Sequence, residues 1–299
     1  MRGLPSLDAL LEADLCDAVI LATPDGLHAD QVVACAERGL HVLVEKPLAL
    51  DLPSAQRAVQ AAQRQGVRLG VGYHLRHHAA HQRVLSQREA WIGPLRALSL
   101  RWAWPDPATD GWRARGQGAR FWSLAALGTH ALDLCQWSAG SAIRRLSGLT
   151  VPPLSEGVDQ AAELTVEFAS GVLAHISVAV THRALPRVLW VGERGEIECI
   201  ATLGARGDGE IWHRPLRQPA QPIPFVGHDP YQAQLAAFVD AIVAESDGSG
   251  LPAAARPAWQ AQAEALLAAV ENVRVLDLLA AAAPVAAPAQ PVFFDKGSS

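Results

Sequence analysis

"DAVILATPDGLHADQVVACAERGLHVLVEK", residues 17–46, decides the fold. It opens on an apolar run that ends in Thr-Pro-Asp-Gly, which reads as a buried strand followed by a turn. "LHADQVVACAERGL" is a helical pattern closed by Gly39. "HVLVEK" is a second buried strand. Further on, "DLPSAQRAVQAAQRQG" (51–66) is a helix again closed by a glycine, and "VRLGVGY" (67–73) is a third strand. This rhythm is that of βαβ units of roughly 30 residues each. It predicts three parallel strands with two intervening helices over residues 18–73, and no completion of a six-stranded sheet.

After Arg76 the style changes. A helix (about 77–90) leads to a strand, "LRALSLRWAW", then to a polar, glycine-rich loop (105–120) and a helix, "SLAALGTHALDLCQWSAG". Strand patterns with tight turns dominate residues 143–225, as expected of an antiparallel sheet. Two helices follow (230–245 and 257–283), then a Pro- and Ala-rich tail. The expected fold class is α/β plus α+β. A partial dinucleotide-binding domain, an incomplete doubly wound parallel (Rossmann-like) sheet, spans residues 1–76. An α+β substrate and oligomerisation domain with a large, mostly antiparallel open sheet spans residues 77–299.

Half of the 299 residues are apolar and 18% are charged, which suits a large buried core. The net charge of −5, with acids interspersed among the arginines, argues against a nucleic-acid footprint. No apolar run reaches the ~20 residues of a membrane span. Cys16, Cys35, Cys135 and Cys199 are scattered without a CxxC pair, which points to a reducing cytoplasm and to no zinc ribbon. The amino-terminal stretch contains acids and too short an apolar run for a signal peptide.

Lys46 is one of only two lysines, the other being Lys296, among 25 Lys and Arg residues. It stands where a parallel strand delivers functional groups. Interconversion of an alcohol and a carbonyl needs a group that moves a proton and a positive group at the substrate oxygen. An ammonium serves as both, whereas arginine does not deprotonate near neutral pH. The alternative is a surface lysine after a buried strand. His130 and Asp133, three residues apart, share one helix face. His130 reads as an acid/base, with Asp133 as its orienter or as a packing residue that caps a nearby loop; the alternative is a hydrogen-bonded core histidine. Trp112 and Arg113 either clamp a polar substrate by stacking and charged hydrogen bonds or anchor a solvated loop.

A doubly wound nucleotide domain opens with a strand and a G-x-G-x-x-G turn that brings the pyrophosphate to a helix N-terminus. The sequence contains no such turn; "GVGYHL" (70–75) and "RGQGAR" (115–120) lack the third glycine and the context. The chain as written is therefore expected to bind NAD(P) weakly or not at all, and to start at an internal methionine of a longer protein.

In order, "ATPDGLHAD", "GLHVLVEKPLAL", "GVGYHLRHHAAH", "LGTHALDL" and "ASGVLAHISV" resemble the Gfo/Idh/MocA family of glucose–fructose oxidoreductase and inositol dehydrogenase. The resemblance covers nearly the whole chain. It implies NAD or NADP as cofactor and hydride chemistry at a hydroxyl or carbonyl carbon of a sugar-, polyol- or cyclitol-like small molecule. It implies catalytic roles for Lys46 and His130 and a cis Lys46–Pro47 bond. Thr23, Pro24, His28, Glu45, Lys46 and His74 would border the cofactor. Arg76, Trp112, Arg113 and Asp133 would face the substrate. The chain departs from the pattern at Ala126, where the family usually has an Asp four residues before the helix histidine, and in the bulky "RFWSLAAL".

Two further expectations complete the reading. His74, His77, His78 and His81 form a cluster with zinc-like i, i+4 spacing, but no Cys or Glu nearby completes a ligand set, so no metal is assigned. "LTVEFASGVLAHISVAV" is read as carrying apolar residues at both registers, with Leu164, Val166 and Phe168 on one face and Val172, Ala174 and Ile176 after the turn. That predicts a homo-oligomer joined through the open sheet. The rival to an enzyme is a non-catalytic binding or assembly subunit derived from the same family.

Overall fold

The computed structural model describes residues 3–106, 108–152, 154, 157–246 and 256–282; the Pro- and Ala-rich tail with Lys296 lies outside the described residues. A short helix, α1 (Leu7–Ala13), precedes β1 (Ala18–Leu21), α2 (His28–Glu37), β2 (His41–Val44), α3 (Leu52–Gln65) and β3 (Leu69–Val71). The strands pair in parallel in the order β1-β2-β3, with Ala18 opposite His41 and Val42 opposite Leu69. This is the arrangement the strand–helix rhythm predicts. Val19, Leu21, Val42, Val44, Leu69 and Val71 form one buried core with Val32 and Cys35 of α2 and Ala55, Ala58 and Ala62 of α3. Local signals set the limits of α3. Asp51 caps its start by accepting from Ser54 N at 2.8 Å, and Gly66 ends it at φ 67°, where a side chain would be strained.

The second body is built on an eight-stranded sheet. Its elements are α4 (Ala79–Ile92), β4 (Leu95–Ala103), α5 (Thr129–Ala139), β5 (Ile143–Val151), β6 (Ala161–Phe168), β7 (Leu173–Ala179), β8 (Arg187–Gly192), β9 (Gly195–Ile200), β10 (Glu210–Pro215), β11 (Gln221–Pro222), α6 (Pro230–Ser246) and α7 (Arg256–Ala282). The strand order is β11-β10-β9-β8-β4-β7-β6-β5, antiparallel throughout except for the parallel pair β4–β7. Leu100, Leu164, Val166, Ile176 and Trp190 pack with Ala131, Leu132 and Leu134 of α5 in one core. α7 joins the two bodies: Ala269 and Val273 belong to the first core, Val275 and Leu276 to the second.

The register corrects one sequence reading. Leu164 lies opposite Ile176 and Val166 opposite Ala174, so both apolar sets share the same buried face. The tight turn between β6 and β7 keeps the two alternations in phase. The outward face of these strands carries Glu163, Thr165 and Glu167 beside Leu173, His175 and Ser177, with Glu163 bonded to Ser177 and Glu167 to Arg145. The apolar residues named for association through this face are therefore in the core, whereas Leu149, Val151 and Leu173 are exposed.

The helix expected over residues 123–140 is present, but its first turn is not α-helical. Leu124–Gly128 form a π-helical turn that runs into α5. Its start is held from outside by the buried Asp159, whose carboxylate accepts from Trp122 N (2.9 Å), Leu124 N (2.7 Å) and the Ser123 hydroxyl. Among the described residues, no helix is long and apolar enough to cross a membrane.

Candidate active site

The ends of the three parallel strands deliver three short loops to one place: Thr23-Pro24-Asp25 after β1, Glu45-Lys46-Pro47 after β2, and Tyr73-His74 after β3. This is the edge at which open parallel sheets place their ligands. The π-turn and α5 close over it from the second body.

Lys46 bridges the two. Its Nζ donates to the carbonyls of Ala125 (3.2 Å) and Ala126 (3.0 Å) in the π-turn. π-turns recur at functional sites because they aim groups that a regular helix would not. Desolvation of the ammonium pulls its pKa down to about 8; Glu45 and Asp25 oppose the shift, and Arg113 adds to it. The Lys46–Pro47 bond is cis, as the resemblance implied.

His130 follows Ala126 by one helical turn and is buried. Its ring meets His74 edge-on, with centroids 4.7 Å apart, and lies 5.7 Å from the Tyr73 ring and 5.9 Å from that of Trp102. Burial first, then the charge on Lys46, holds its pKa well below the usual histidine range. His74 is also buried, with a pKa lowered to about 4 chiefly by desolvation; its Nε2 lies 3.2 Å from the Gly204 carbonyl. The Nδ1 atoms of both rings are buried and have no hydrogen-bond partner. Such atoms are rare in folded proteins unless a ligand or water serves them.

The other residues singled out from sequence have protein partners. His28 is fully buried, with Nδ1 2.7 Å from the Pro47 carbonyl and Nε2 2.8 Å from the Thr23 carbonyl. It ties the loop after β1 to the loop after β2 and does not turn a free nitrogen to the cleft. Thr23 Oγ1 donates to Gln31. Arg76 and Asp133, expected at the substrate, form a buried pair with each other, Nε and Nη2 donating at 2.8–3.1 Å. Asp133 consequently does not orient His130. Arg113 donates to the buried Asp25 at 2.7 Å and lies over the Trp112 ring at 4.3 Å. Beside that pair, Gly26 N donates to Gly118 O; a Cβ on Gly26 would sit 2.9 Å from that oxygen, so only glycine allows the approach. In the histidine cluster, His81 is bonded at both nitrogens, to the Leu75 carbonyl and the Thr202 hydroxyl.

The sequence reading missed Asn272 and Tyr231. Asn272, buried on α7, donates to Tyr73 Oη (3.0 Å) and to the Thr129 carbonyl, and so braces the wall behind His130. Nothing in a long Ala- and Leu-rich helix marks one Asn as an anchor, apart from its being polar on an apolar stripe. Tyr231 stacks on His74.

Comparison with known proteins agrees with this geometry. Residues 2–73 match the oxidoreductase family with an NAD-binding Rossmann fold, and residues 81–198 match the GFO/IDH/MocA C-terminal domain. The chain is 30% identical over 262 residues to 1,5-anhydro-D-fructose reductase of Ensifer adhaerens, covering 85% of this chain and 76% of the relative. The chain belongs to the Gfo/Idh/MocA oxidoreductase family. A second relative, dTDP-3,4-didehydro-2,6-dideoxy-alpha-D-glucose 3-reductase of Streptomyces violaceoruber, is 29% identical over 81% of this chain and 72% of its own length. The fold matches aldose-aldose oxidoreductase from Caulobacter crescentus, complexed with glycerol (TM-score 0.78, 20% identity, 92% of this chain and 79% of that one). It also matches an inositol dehydrogenase homolog from Azotobacter vinelandii, complexed with NADH and myo-inositol (TM-score 0.77, 19% identity, 93% and 80%).

Proposed function

We propose that this Gfo/Idh/MocA protein is an NAD(P)-dependent oxidoreductase acting at a hydroxyl or carbonyl carbon of a sugar-, polyol- or cyclitol-like substrate. One observation carries the reading. The only described lysine is held at the end of β2 by two main-chain carbonyls, beside two buried imidazoles whose Nδ1 atoms lack a partner. The relatives named above, reductases and a dehydrogenase homolog of sugar-like compounds, support the substrate class, and none of them favours a non-catalytic subunit.

The strand-end loops fit the nicotinamide end of a dinucleotide. Thr23, Pro24, Glu45, Lys46 and His74 would border it, and the unpartnered Nδ1 atoms are available for a carboxamide, a ribose or a substrate hydroxyl. A nicotinamide held there would supply the hydride acceptor or donor. The protein's own part is proton transfer and charge. Lys46, with its pKa near 8, gives up or takes the proton of the reacting oxygen. While cationic, it stabilises negative charge on that oxygen in a site with little water. His130, kept neutral by burial, offers one hydrogen bond to the same oxygen or its neighbour. With Ala126 at the position where the family usually has Asp, the π-turn carbonyls orient Lys46 instead. His28, the Arg76–Asp133 pair and Asn272 act by positioning. Arg113 and Trp112 form a flap over Asp25 and would meet the distal part of a substrate. Four free thiols, three of them buried, suit a reducing, cytoplasmic setting. Self-association through the open sheet remains part of the proposal.

The test is reduction of NAD or NADP by a panel of sugars, polyols and cyclitols, and the reverse reaction with keto-sugars. Turnover lost in Lys46→Met supports the assignment. Turnover unchanged in that variant overturns it.

A further inference from the structure

α6 starts in the sequence Asp-Pro-Tyr. Asp229 caps it, accepting from Tyr231 N at 2.8 Å and Gln232 N at 3.2 Å, and Pro230 takes the first helical position, where no N–H is needed. Two turns later, the buried Phe238 lies on Gly70 of β3, so close that a Cβ on Gly70 would be 3.2 Å from its ring. The cap and this contact fix both the axial position and the rotation of the helix beside β3. The first turn of α6 therefore falls on the loop that follows β3. There the Tyr231 ring lies flat on His74, with centroids 4.3 Å apart and an interplanar angle of 14°, and His74 also meets His130 edge-on. Tyr231 is 40% exposed, so only part of its surface is used by this stack. The Glu45 carboxylate is close enough to push the phenol pKa up, after the larger effect of burial.

We propose that Tyr231 is a positioning residue of the same site, its ring pressing the His74 imidazole against His130 and shielding both from water. The catalytic meaning of this rests on the function proposed above; the geometry of the stack does not. Three elements meet in it: α6 supplies Tyr231, the turn after β3 supplies His74, and α5 supplies His130. A lone aromatic at a helix start would be packing. This one covers a buried imidazole with an unpartnered Nδ1 that feels the charge of Lys46. Removing it admits water to His74 and frees that ring to turn away from His130. The charged and titratable groups facing the stack are Lys46 and Glu45 from the end of β2, His77 and His78 from the turn, His130 from α5, and Asp229 at the cap of α6.

The experiment compares the full chain with Tyr231→Phe and Tyr231→Leu. Phenylalanine keeps the stack and serves as the control for folding; leucine keeps bulk and loses the flat face. Histidine ring nitrogens are followed by NMR as a function of pH. The expected result is an unchanged His74 in Tyr231→Phe, and in Tyr231→Leu a rise of the His74 pKa by about one unit as desolvation is relieved. His130 signals should move with it. Unchanged His74 and His130 signals in Tyr231→Leu overturn the proposal. Where turnover is found, Tyr231→Leu should lower kcat by about tenfold with little change in KM, and Tyr231→Phe should retain kcat. Loss confined to KM, or equal loss in both variants, also overturns it. If no sugar or polyol turns over, the proposed reaction fails, and the NMR comparison still decides the role of Tyr231.

Discussion

The Nζ of Lys46 lies 3.0 Å from the carbonyl oxygen of Ala126, the residue one helical turn before His130. A main-chain oxygen cannot be titrated, so nothing at this contact follows pH except the lysine. Oxidation, which needs Lys46 as a base, should accelerate as pH rises through about 8, and reduction, which needs it as an acid, should slow over the same range. Rate profiles in the two directions check this, and Lys46→Arg should cost about 10²–10⁴-fold because guanidinium does not give up its proton.

The same shift has a stability consequence. The Lys46 pKa falls from 10.5 to about 8 on folding, because burial disfavours the charged form. Between those values the unfolded chain binds more protons than the folded one. The destabilisation due to this group is therefore greatest below pH 8 and fades as pH rises towards 10.5. Lys46→Met lacks the penalty. Its advantage in denaturant midpoint over the natural chain should shrink as pH rises across that window, and a constant or growing difference would contradict the burial of the ammonium.

His130 should show opposite effects on activity and stability. Its Nδ1 is buried without a partner, and such a group costs about 1–3 kcal/mol. His130→Leu should unfold at the same or a higher denaturant concentration than the natural chain, while losing most activity. Marked destabilisation by this change would show that the ring is held by contacts more valuable than the lost polar group.

Arg76 and Asp133 should behave differently. Removing either partner leaves a buried charge, at about 3–5 kcal/mol. Arg76→Met and Asp133→Leu should each lower the urea midpoint strongly, and the double variant should recover much of the loss. Additive losses would mean that the two side chains do not act as a pair.

The two bodies differed in how much could be read from the chain. β1 to β3 and their helices follow from short apolar runs bounded by Thr-Pro-Asp-Gly and capping glycines, which are local signals, although Ile20 of β1 proves exposed. The placement of Lys46 at a strand end was legible for the same reason; its meeting with the π-turn at the start of α5 depends on the docking of the two bodies. The face of β6 and β7 was misread because apolar residues before and after a turn seem to change register, whereas the pairing of Leu164 with Ile176 keeps them together. Arg76 and Asp133 were placed at the substrate because the family resemblance implies it; that they find each other depends on contacts far apart in sequence. Asn272 and Tyr231 carry no local signal, and their roles exist only once α7 and α6 are docked.

The last prediction concerns the cofactor. The loops after β1, β2 and β3 offer groups to the nicotinamide end, whereas this sequence has no G-x-G-x-x-G turn to hold a pyrophosphate at a helix N-terminus. Charge-assisted hydrogen bonds of about 1.5–3 kcal/mol each normally make that cradle a large part of dinucleotide affinity. For the 299-residue chain, the adenylate half of NADH or NADPH should therefore add little. Calorimetric titration with NADH, NADPH and reduced nicotinamide mononucleotide measures this directly. The three should bind within about tenfold of one another, a difference of only about 1.4 kcal/mol. A dinucleotide binding about a hundredfold more tightly than the mononucleotide would mean that residues outside the strand-end loops hold the pyrophosphate.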